Sequence, residues 1–541
     1  MSSTIVESLP LGNTKYDYII VGGGTAGCVI AARLAESLPD KRILVIEGGG
    51  SEHKNETVLN LKNLVDLWGS DMDYSYYSVV QPNGNSNILH SRAKLLGGCS
   101  SHNGSIAFHP VEYDMRRWEA AGVRGWSFEL MCRLVRKLRT NIVPVAPQHR
   151  SQVNKDWVEA CSKLFNIPVV EDFNKEIVRT GNLSSGVGFI NVAYTPSDNH
   201  RSSASVAYIH PILDGDVKAP NLTILVHSWV SRIITEGHTA VGVEATTKSG
   251  ERLQIFARDE VVLSAGSIDS PRLMMLSGLG PRKHLQEIGI PVVRDIPGVG
   301  QNLQDHCETM YMWEMNETVP EETVISGSEV TMTLRREQFD ARGDDGNTMD
   351  CMFHMFTYPF DMYTKSMGYE TPNAAFCVIP NTPRPLSVGS ITLKSSNPKE
   401  KPVLDQRYFS DEEGYDKATN LFLLEQSRRM AQQSPFKEHL KREIAPGPNI
   451  KTAEQLCEYG RKVSNTVYHP CGTAKMGDLN NDPMAVVSSQ LKVRGVKKLR
   501  VADASVFPFV TTVNPMVTVL ALAERAAELI IGDAQRVKSA L

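Results

Sequence analysis

Residues 16–49, YDYIIVGGGTAGCVIAARLAESLPDKRILVIEGG, constrain the fold of this chain more than any other segment. Apolar runs at residues 18–21 and 42–46 predict two buried strands. Between them, apolar residues at helical spacing predict a helix that ends before Pro39. Three glycines in the pattern G-x-G-x-x-G separate the first strand from this helix: Gly22, Gly24 and Gly27. This order is typical of a nucleotide-binding βαβ unit.

Each part of this unit has a role toward a dinucleotide. The first glycine permits a tight turn, the second lets the backbone approach a pyrophosphate, and the third lets helix and strand pack closely. The helix N-terminus presents free N–H groups and a positive dipole end to the phosphates. Glu47 follows the second strand and predicts an acceptor for ribose hydroxyls that would repel the 2′-phosphate of NADP. The unit therefore favours FAD or NAD, and a glycine-rich turn in an unrelated α/β domain is the alternative.

Three later segments have comparable order. Residues 259–281, DEVVLSAGSIDSPRLMMLSGLGP, predict a strand, a turn of small residues and a helix. The segment LRVADASVFP predicts a strand that leads to Asp503. The segment TVNPMVTVLALAERAAELIIG predicts a helix with Asn514 at its N-cap, Pro515 in its first turn and Gly532 at its end.

Together these segments resemble the glucose-methanol-choline (GMC) oxidoreductase family. Residues 266–280 match that family's second signature, and the nucleotide unit and the VADAS…NP block lie where the family has them. The resemblance covers essentially the whole chain and implies an α/β fold. It implies a Rossmann-like FAD-binding domain and a substrate-binding domain with an antiparallel sheet. The FAD-binding domain would take residues 1–160, 200–310 and 460–541, and the substrate-binding domain residues 161–199 and 311–459.

The loop KLLGGCSSHNGS, residues 94–105, resembles the choline oxidase-like subgroup of that family. Further blocks resemble the same subgroup, at residues 201–211, 298–306, 358–362 and 465–477. In the subgroup, the histidine of GGCSSHN is bonded covalently to the 8α-methyl group of the flavin. The resemblance therefore implies a covalent FAD link at His102, and a histidine that only touches the ring is the alternative. The implied cofactor-binding residues are Gly22, Gly24, Gly27, Glu47, Gly98, His102, Asn103, Val230, Asp503 and Pro515. No cysteine or histidine spacing suits zinc, so no metal is expected.

Alcohol oxidation requires removal of the hydroxyl proton and transfer of a hydride, and histidine suits the proton step because its pKa lies near neutral pH. By resemblance, His469 and Asn514 are the catalytic residues. His469 would act as acid/base or as a donor to the alkoxide, and Asn514 would hold the substrate oxygen. If His469 is instead structural, His354 is the next candidate base.

Glu308, His354 and Tyr468 match positions that line the substrate cavity in the subgroup. A buried carboxylate is costly unless it meets a cation, so Glu308 indicates a cationic or strongly polar substrate, with an exposed loop glutamate as the alternative. The subgroup's aromatic cage for an ammonium group is incomplete here. Leu64 stands at an early tryptophan position, with Trp68 one helical turn later, and residues 324–337 contain no aromatic side chain. Choline is therefore in doubt, and a neutral primary alcohol is open.

The predicted function is FAD-dependent oxidation of a primary alcohol to the aldehyde, by hydride transfer to flavin N5 with O₂ reduced to H₂O₂. A dehydrogenase that uses another acceptor is one alternative. A non-redox lyase or cyclase of the same fold is the other. The expected partners are a small-molecule alcohol and O₂, and a homodimer is open.

Composition limits other partners and the location. A net charge of −4 without a basic run gives no reason to expect nucleic acid. No run approaches the ~18 apolar residues of a membrane helix. Nine scattered cysteines and the absence of a signal-peptide pattern indicate an intracellular protein. The final residues, KSAL, resemble a peroxisomal address, so the predicted location is cytoplasmic or peroxisomal. Residues 333–349 are the predicted flexible loop.

Overall fold

The computed structural model describes residues 4–9, 14–85, 87–336 and 346–540. Residues 337–345 of the predicted flexible loop lie outside this description, as does Leu541 of the KSAL segment. The start of that predicted loop is a strand, because Val330–Leu334 pairs with a neighbouring strand on each side.

The first of two large sheets has eight strands and contains both predicted strands of the nucleotide unit. Lys15–Val21 lies between Ile43–Ile46 and Arg252–Leu263 and is parallel to both. The long strand Arg252–Leu263 changes partner along its other edge: its first residues pair antiparallel with Thr239–Thr246, and its last pair in parallel with Leu499–Val501. The sheet is completed by Ile5–Val6, Leu222–Leu225 and Trp229–Glu236.

Helix Thr25–Ser37 packs between this sheet and the C-terminal helix Met516–Ala540. Its buried residues are mostly small, which allows the close approach: Ala26, Gly27, Cys28, Ala31, Ala32 and Ala35. Arg33 joins the two helices, because its guanidinium Nη2 lies 2.8 Å from Oε1 of the buried Glu524. The nucleotide unit is thereby tied to a helix that lies nearly 500 residues further along the chain.

The prediction that the C-terminal helix ends at Gly532 is wrong, because the helix continues to Ala540. A glycine inside a helix costs only about 1 kcal/mol relative to alanine, and a few stabilising contacts offset this. Asp533 supplies such contacts as it accepts hydrogen bonds from Arg500 and Arg536 and lies 2.9 Å from Nζ of Lys492.

The second large sheet is antiparallel and also has eight strands. Six strands form its main path, in the spatial order Leu440–Ala445, Tyr311–Met315, Ala375–Asn381, Cys351–Phe356, Val330–Leu334 and Gly186–Phe189. Two short strands, Cys307–Glu308 and Asn465–Thr466, join at its edge. Each large sheet has its own hydrophobic core. The predicted α/β fold with a second, antiparallel sheet is confirmed, while the domain boundaries stay a prediction.

Smaller elements connect the two sheets. The remaining strands form four small sheets: Leu279–Gly280 with Arg294–Asp295; Gln301–Leu303, Gly389–Thr392 and Val403–Asp405; Tyr76–Tyr77 with Leu89–His90; and Ile142–Pro144, Asn191–Thr195 and His200–Arg201. The other α-helices are Glu56–Leu59, Leu64–Leu67, Glu112–Ala120, Phe128–Val135, Gln152–Phe165, Phe173–Thr180, Ala204–Tyr208, His210–Leu213, Gly266–Leu276, Arg282–Glu287, Tyr415–Met430 and Ala453–Val463. The 3₁₀ helices are Leu61–Asn63, Gly98–Ser101, Pro147–His149, Glu321–Thr323, Lys365–Met367, Phe436–His439 and Ala504–Val506. Among the described residues, no helix is long and apolar enough to cross a membrane.

Candidate active site

A cavity of about 320 Å³ runs from the carboxyl end of the parallel strands to the second sheet. This volume is in the range of small-molecule pockets. Fourteen of the fifteen predicted site residues line it: Gly22, Gly24, Glu47, Gly98, His102, Asn103, Val230, Glu308, His354, Tyr468, His469, Asp503, Asn514 and Pro515. Gly27 is the exception and is buried beside the cavity wall. The fold thus brings together residues from seven distant parts of the chain.

Neighbouring backbone lies so close to Gly27 and Gly98 that a side chain would not fit at either position. A Cβ atom on Gly27 would lie 2.0 Å from the carbonyl oxygen of Gly22, so only glycine fits there. Gly98 has φ +54° and a Cβ on it would lie 2.6 Å from Cα of Gly24. Gly24 is the N-cap residue of helix Thr25–Ser37. Because glycine has no side chain, no side-chain cap accepts hydrogen bonds from the first N–H groups of this helix. This end of the cavity therefore suits a pyrophosphate.

Glu47 lies where the predicted ribose acceptor should be, beside the glycine turn. Its Oε2 accepts a 2.9 Å hydrogen bond from the N–H of Gly23, and its Oε1 accepts one of 2.8 Å from the N–H of Gly49. Burial raises the pKa of Glu47 to about 7, and the two N–H donors act against this rise. Each carboxylate oxygen keeps a second lone pair for a ligand hydroxyl.

Asp503 organises the opposite wall of the cavity. Its Oδ2 accepts hydrogen bonds from the N–H of Gly266 at 2.9 Å and the hydroxyl of Ser270 at 2.6 Å. Burial raises its pKa, against these hydrogen bonds. The carbonyl of Pro515 accepts the first helical hydrogen bond, from Val519, so the C-terminal helix points its N-terminus at the cavity. FAD fits this cavity, which offers a glycine cradle formed by Gly22, Gly24 and Gly98, two helix N-termini and the ribose acceptor Glu47.

His102 lies at the end of the 3₁₀ helix Gly98–Ser101 and is 3% exposed. Its Nε2 donates to the carbonyl of Leu67 at 3.1 Å and lies 3.9 Å from Oδ2 of Asp73. Burial lowers the pKa of this imidazole, with Asp73 opposing the change. Burial thus favours the neutral imidazole, the state in which one ring nitrogen has a nucleophilic lone pair.

Hydrogen bonds hold His469 through both its backbone N–H and its imidazole ring. Its N–H donates to Oδ1 of the buried Asp305 at 2.9 Å, and its Nδ1 lies 2.9 Å from Nδ1 of His306. Burial lowers the pKa of His469 well below its usual value, and the neighbouring histidines add to this. Nearby on the cavity wall, both ring nitrogens of His354 and Oδ1 of Asn514 are buried and have no partner in the described part of the chain. These polar groups are available to a ligand.

Glu308 lies in the short strand at the edge of the second sheet, and its side chain is buried. The hydroxyl of Tyr363 donates to its Oε1 at 2.9 Å and lies 3.3 Å from the hydroxyl of Tyr468. Burial raises the pKa of Glu308 to about 8, partly opposed by the Tyr363 hydrogen bond. The alternative of an exposed loop glutamate is therefore wrong.

An aromatic wall stands beside Glu308. The ring of Trp68 lies 5.4 Å from that of Tyr468 and 5.8 Å from that of Phe360, which in turn lies 5.3 Å from Tyr363. Trp68, one helical turn after Leu64, thus packs with Tyr468 and Phe360 into one wall. Such a wall accepts a cation or an aromatic group.

Sequence reasoning did not assign a role to four residues that shape this site: Tyr363, Phe360, His306 and Arg92. Phe360 lies in the block at 358–362 and Tyr363 directly follows it, while His306 ends the block at 298–306. The block resemblance was the signal that could have found these three. Arg92 donates through Nη2 to the carbonyl of Tyr468 at 2.7 Å, which holds the residue next to His469. No sequence pattern pointed to that contact.

Comparison with known proteins bears on the whole chain. The family model for GMC oxidoreductases matches in two parts, its N-terminal part at residues 16–308 and its C-terminal part at residues 385–523. The chain is 38% identical to choline oxidase from Arthrobacter globiformis, over 96% of this chain and 95% of that protein. It is 31% identical to mitochondrial choline dehydrogenase from Mus musculus, over 96% and 90% of the two chains. The crystal structure of pyridoxine 4-oxidase from Mesorbium loti superposes with a TM-score of 0.82 at 27% identity, covering 95% of this chain and 98% of that one.

Proposed function

Because this chain belongs to the GMC oxidoreductase family, we propose that it is an FAD-dependent alcohol oxidase that converts a primary alcohol to the aldehyde and O₂ to H₂O₂. The observation that carries the proposal is the position of His469 and Asn514 on the wall of one cavity that also contains the glycine cradle. One end of this cavity suits a dinucleotide, and the other presents a base and a carboxamide.

FAD, when bound, supplies the hydride acceptor. His469 would take the hydroxyl proton on its Nε2, since its Nδ1 is engaged by His306. The amide Nδ2 of Asn514, on the cavity wall, would donate to the substrate oxygen and stabilise the alkoxide that develops. Glu308, Tyr363 and the aromatic wall would receive the far end of the alcohol. This arrangement favours an alcohol with a cationic or strongly polar end.

We also propose that FAD is linked covalently through His102. The neutral state of this buried imidazole and its position on the cavity wall support the link. The loop sequence GGCSSHN supports it by resemblance to the choline oxidase-like subgroup.

The relatives include an oxidase and a dehydrogenase, so the electron acceptor needs its own experiment. The purified holoprotein is mixed anaerobically with choline and with aliphatic and aryl alcohols while flavin absorbance is followed. Bleaching by an alcohol supports redox chemistry, and absence of bleaching by every alcohol tested contradicts the proposal and favours a lyase or cyclase. The reduced protein is then mixed with O₂. Rapid return of flavin absorbance with formation of H₂O₂ supports an oxidase, whereas slow return with rapid reduction of a quinone or dye indicates a dehydrogenase.

A further inference from the structure

Three hydrogen-bonding atoms enclose the imidazole of His306, and two of them are carbonyl oxygens. Its Nε2 lies 3.0 Å from the carbonyl oxygen of Pro383 and 2.9 Å from that of Thr511. Its Nδ1 lies 2.9 Å from Nδ1 of His469. A carbonyl oxygen can only accept, so Nε2 of His306 must carry the hydrogen. His306 is only 3% exposed, and its hydrogen-bond partners are two carbonyl groups and an imidazole, none of which is a carboxylate that would stabilise a second proton.

The same reasoning fixes the proton on His469. A neutral His306 with its hydrogen on Nε2 offers only a lone pair at Nδ1. The short contact with His469 is then a hydrogen bond in which Nδ1–H of His469 donates and Nδ1 of His306 accepts. A neutral His469 with its hydrogen on Nδ1 has a lone pair on Nε2, the state that a proton-accepting base requires.

We propose that His306 is a positioning residue that holds His469 in the tautomer with its hydrogen on Nδ1 and its lone pair on Nε2. This inference rests on the proposed alcohol oxidation for its kinetic consequence. The two rings are nearly perpendicular, at 86°, with centroids 5.0 Å apart, so His306 also sets the orientation of the His469 ring. Burial, which lowers the pKa of His306 to about 4, keeps it neutral and agrees with this role.

His306 gains importance once His469 has taken the substrate proton. His469 is then an imidazolium, and its Nδ1–H bond to His306 becomes a charge-assisted hydrogen bond, which is roughly twice as strong as a neutral one. The other charged and titratable groups around the pair are His354, Arg92 and Asp305. Arg92 disfavours the imidazolium and Asp305 receives the backbone N–H of His469, so neither offers Nδ1 an acceptor.

Two substitutions at residue 306 separate positioning from a merely structural role. In His306→Asn, the amide oxygen can take the place of Nδ1 as acceptor for His469, while the contacts to Pro383 and Thr511 are lost. In His306→Gln, the longer amide can donate to those two carbonyls, while no acceptor remains at the Nδ1 position. If His306 is only structural, the glutamine variant should be more stable and reduce its flavin faster than the asparagine variant. If His306 positions His469, the asparagine variant should reduce its flavin faster.

The measured quantity is the limiting rate of anaerobic flavin reduction by a saturating alcohol, with the melting temperature and the flavin spectrum recorded for each variant. We expect His306→Gln to slow reduction at least about tenfold and at most by the 10²–10⁴-fold typical of losing a base. His306→Asn should be at least about tenfold faster than His306→Gln. A glutamine variant as fast as the asparagine variant, or faster, overturns the proposal.

A direct readout of the tautomer does not depend on turnover or on either variant folding. Holoprotein labelled with ¹⁵N-histidine gives ring-nitrogen chemical shifts that distinguish a protonated nitrogen from a bare one, and His469→Ala identifies the signals of His469. We expect a protonated Nδ1 and a bare Nε2. A bare Nδ1 with a protonated Nε2 contradicts the proposal. If no alcohol reduces the wild-type flavin, the proposed oxidation fails while this spectrum still tests the positioning of His469.

Discussion

The hydroxyl of Tyr363 donates a 2.9 Å hydrogen bond to the buried carboxyl group of Glu308. This contact partly compensates for burial, which raises the pKa of Glu308 to about 8. At pH 7 this carboxyl group is therefore mainly the neutral acid, and it becomes a carboxylate as the pH rises through about 8. The charge at this end of the cavity, where the alcohol is proposed to bind, thus depends on pH near neutrality.

The charge on Glu308 predicts a pH-dependent preference between a cationic alcohol and its uncharged isostere. We expect the ratio of kcat/KM for choline to that for 3,3-dimethylbutan-1-ol to rise as the pH increases through about 8, because the carboxylate attracts only the cation. Taking the ratio cancels the titration of groups that act on both substrates. The measurement is initial-rate kinetics from pH 6 to 10, and a flat ratio would contradict the role given to Glu308.

Three variants sharpen this test. Glu308→Gln should flatten the ratio and lower kcat/KM for choline at high pH by at least tenfold, or ~1.4 kcal/mol of transition-state binding. Tyr363→Phe should move the rise to higher pH, because its hydroxyl lowers the pKa of Glu308. The exposed Glu322→Gln is the matched control and should leave the profile unchanged.

Loss of the proposed base should affect flavin reduction rather than FAD binding. We expect His469→Ala to slow anaerobic reduction by about 10²–10⁴-fold while the spectrum of bound flavin is retained. Asn514→Ala should slow the same step, and the two losses should be less than additive because both groups act on one developing charge. Stopped-flow absorbance measures the step. His200→Ala, at a partly exposed histidine outside the cavity, is the control. Reduction at near the wild-type rate in His469→Ala would assign the base elsewhere, with His354 as the next candidate.

The proposed covalent link between FAD and His102 predicts that the flavin colour stays with the denatured protein. After acid precipitation, the wild-type pellet should be yellow, and His102→Ala should release its flavin to the supernatant. Cys99→Ser is a suitable control, since this neighbour also lines the cavity but is not proposed to bond FAD. Mass spectrometry of a flavin-bearing peptide provides the second measurement. A colourless wild-type pellet would contradict the covalent link.

Two glycine substitutions should change stability in opposite directions. Gly27→Ala places a Cβ 2.0 Å from the carbonyl oxygen of Gly22, so the backbone must shift. We expect lower melting temperature and loss of FAD from this variant. Gly532→Ala meets no atom within 4 Å and lies inside the C-terminal helix, so it should raise the free energy of unfolding by up to about 1 kcal/mol. Denaturant unfolding and flavin content measure both effects. Equal stability of the two variants would contradict the packing described here.

The sequence could predict the nucleotide unit well because its signals are local. Strand, glycine turn, helix and acidic residue all lie within residues 16–49, and backbone geometry alone requires the glycines. The end of the C-terminal helix could not be predicted from Gly532. The contacts that keep Asp533 in the helix come from Lys492 and Arg500, which are remote in the chain.

The substrate side of the cavity could be predicted only in part. Glu308, Tyr468 and His469 came from family resemblance, which assigns roles but not hydrogen-bond partners. Tyr363 and Trp68 contribute through contacts across 55 and 400 residues of chain, and these arise from the packing of the second sheet. No local pattern encodes such contacts.

The parts of the cavity wall are separated widely in the order of synthesis. The glycine cradle is made early, but Asp503, Asn514 and Pro515 emerge from the ribosome only after almost all of the chain described here. The strand Leu499–Val501, which leads to Asp503, also joins its sheet at that stage. The wall that would hold FAD is therefore complete only once this region has been made.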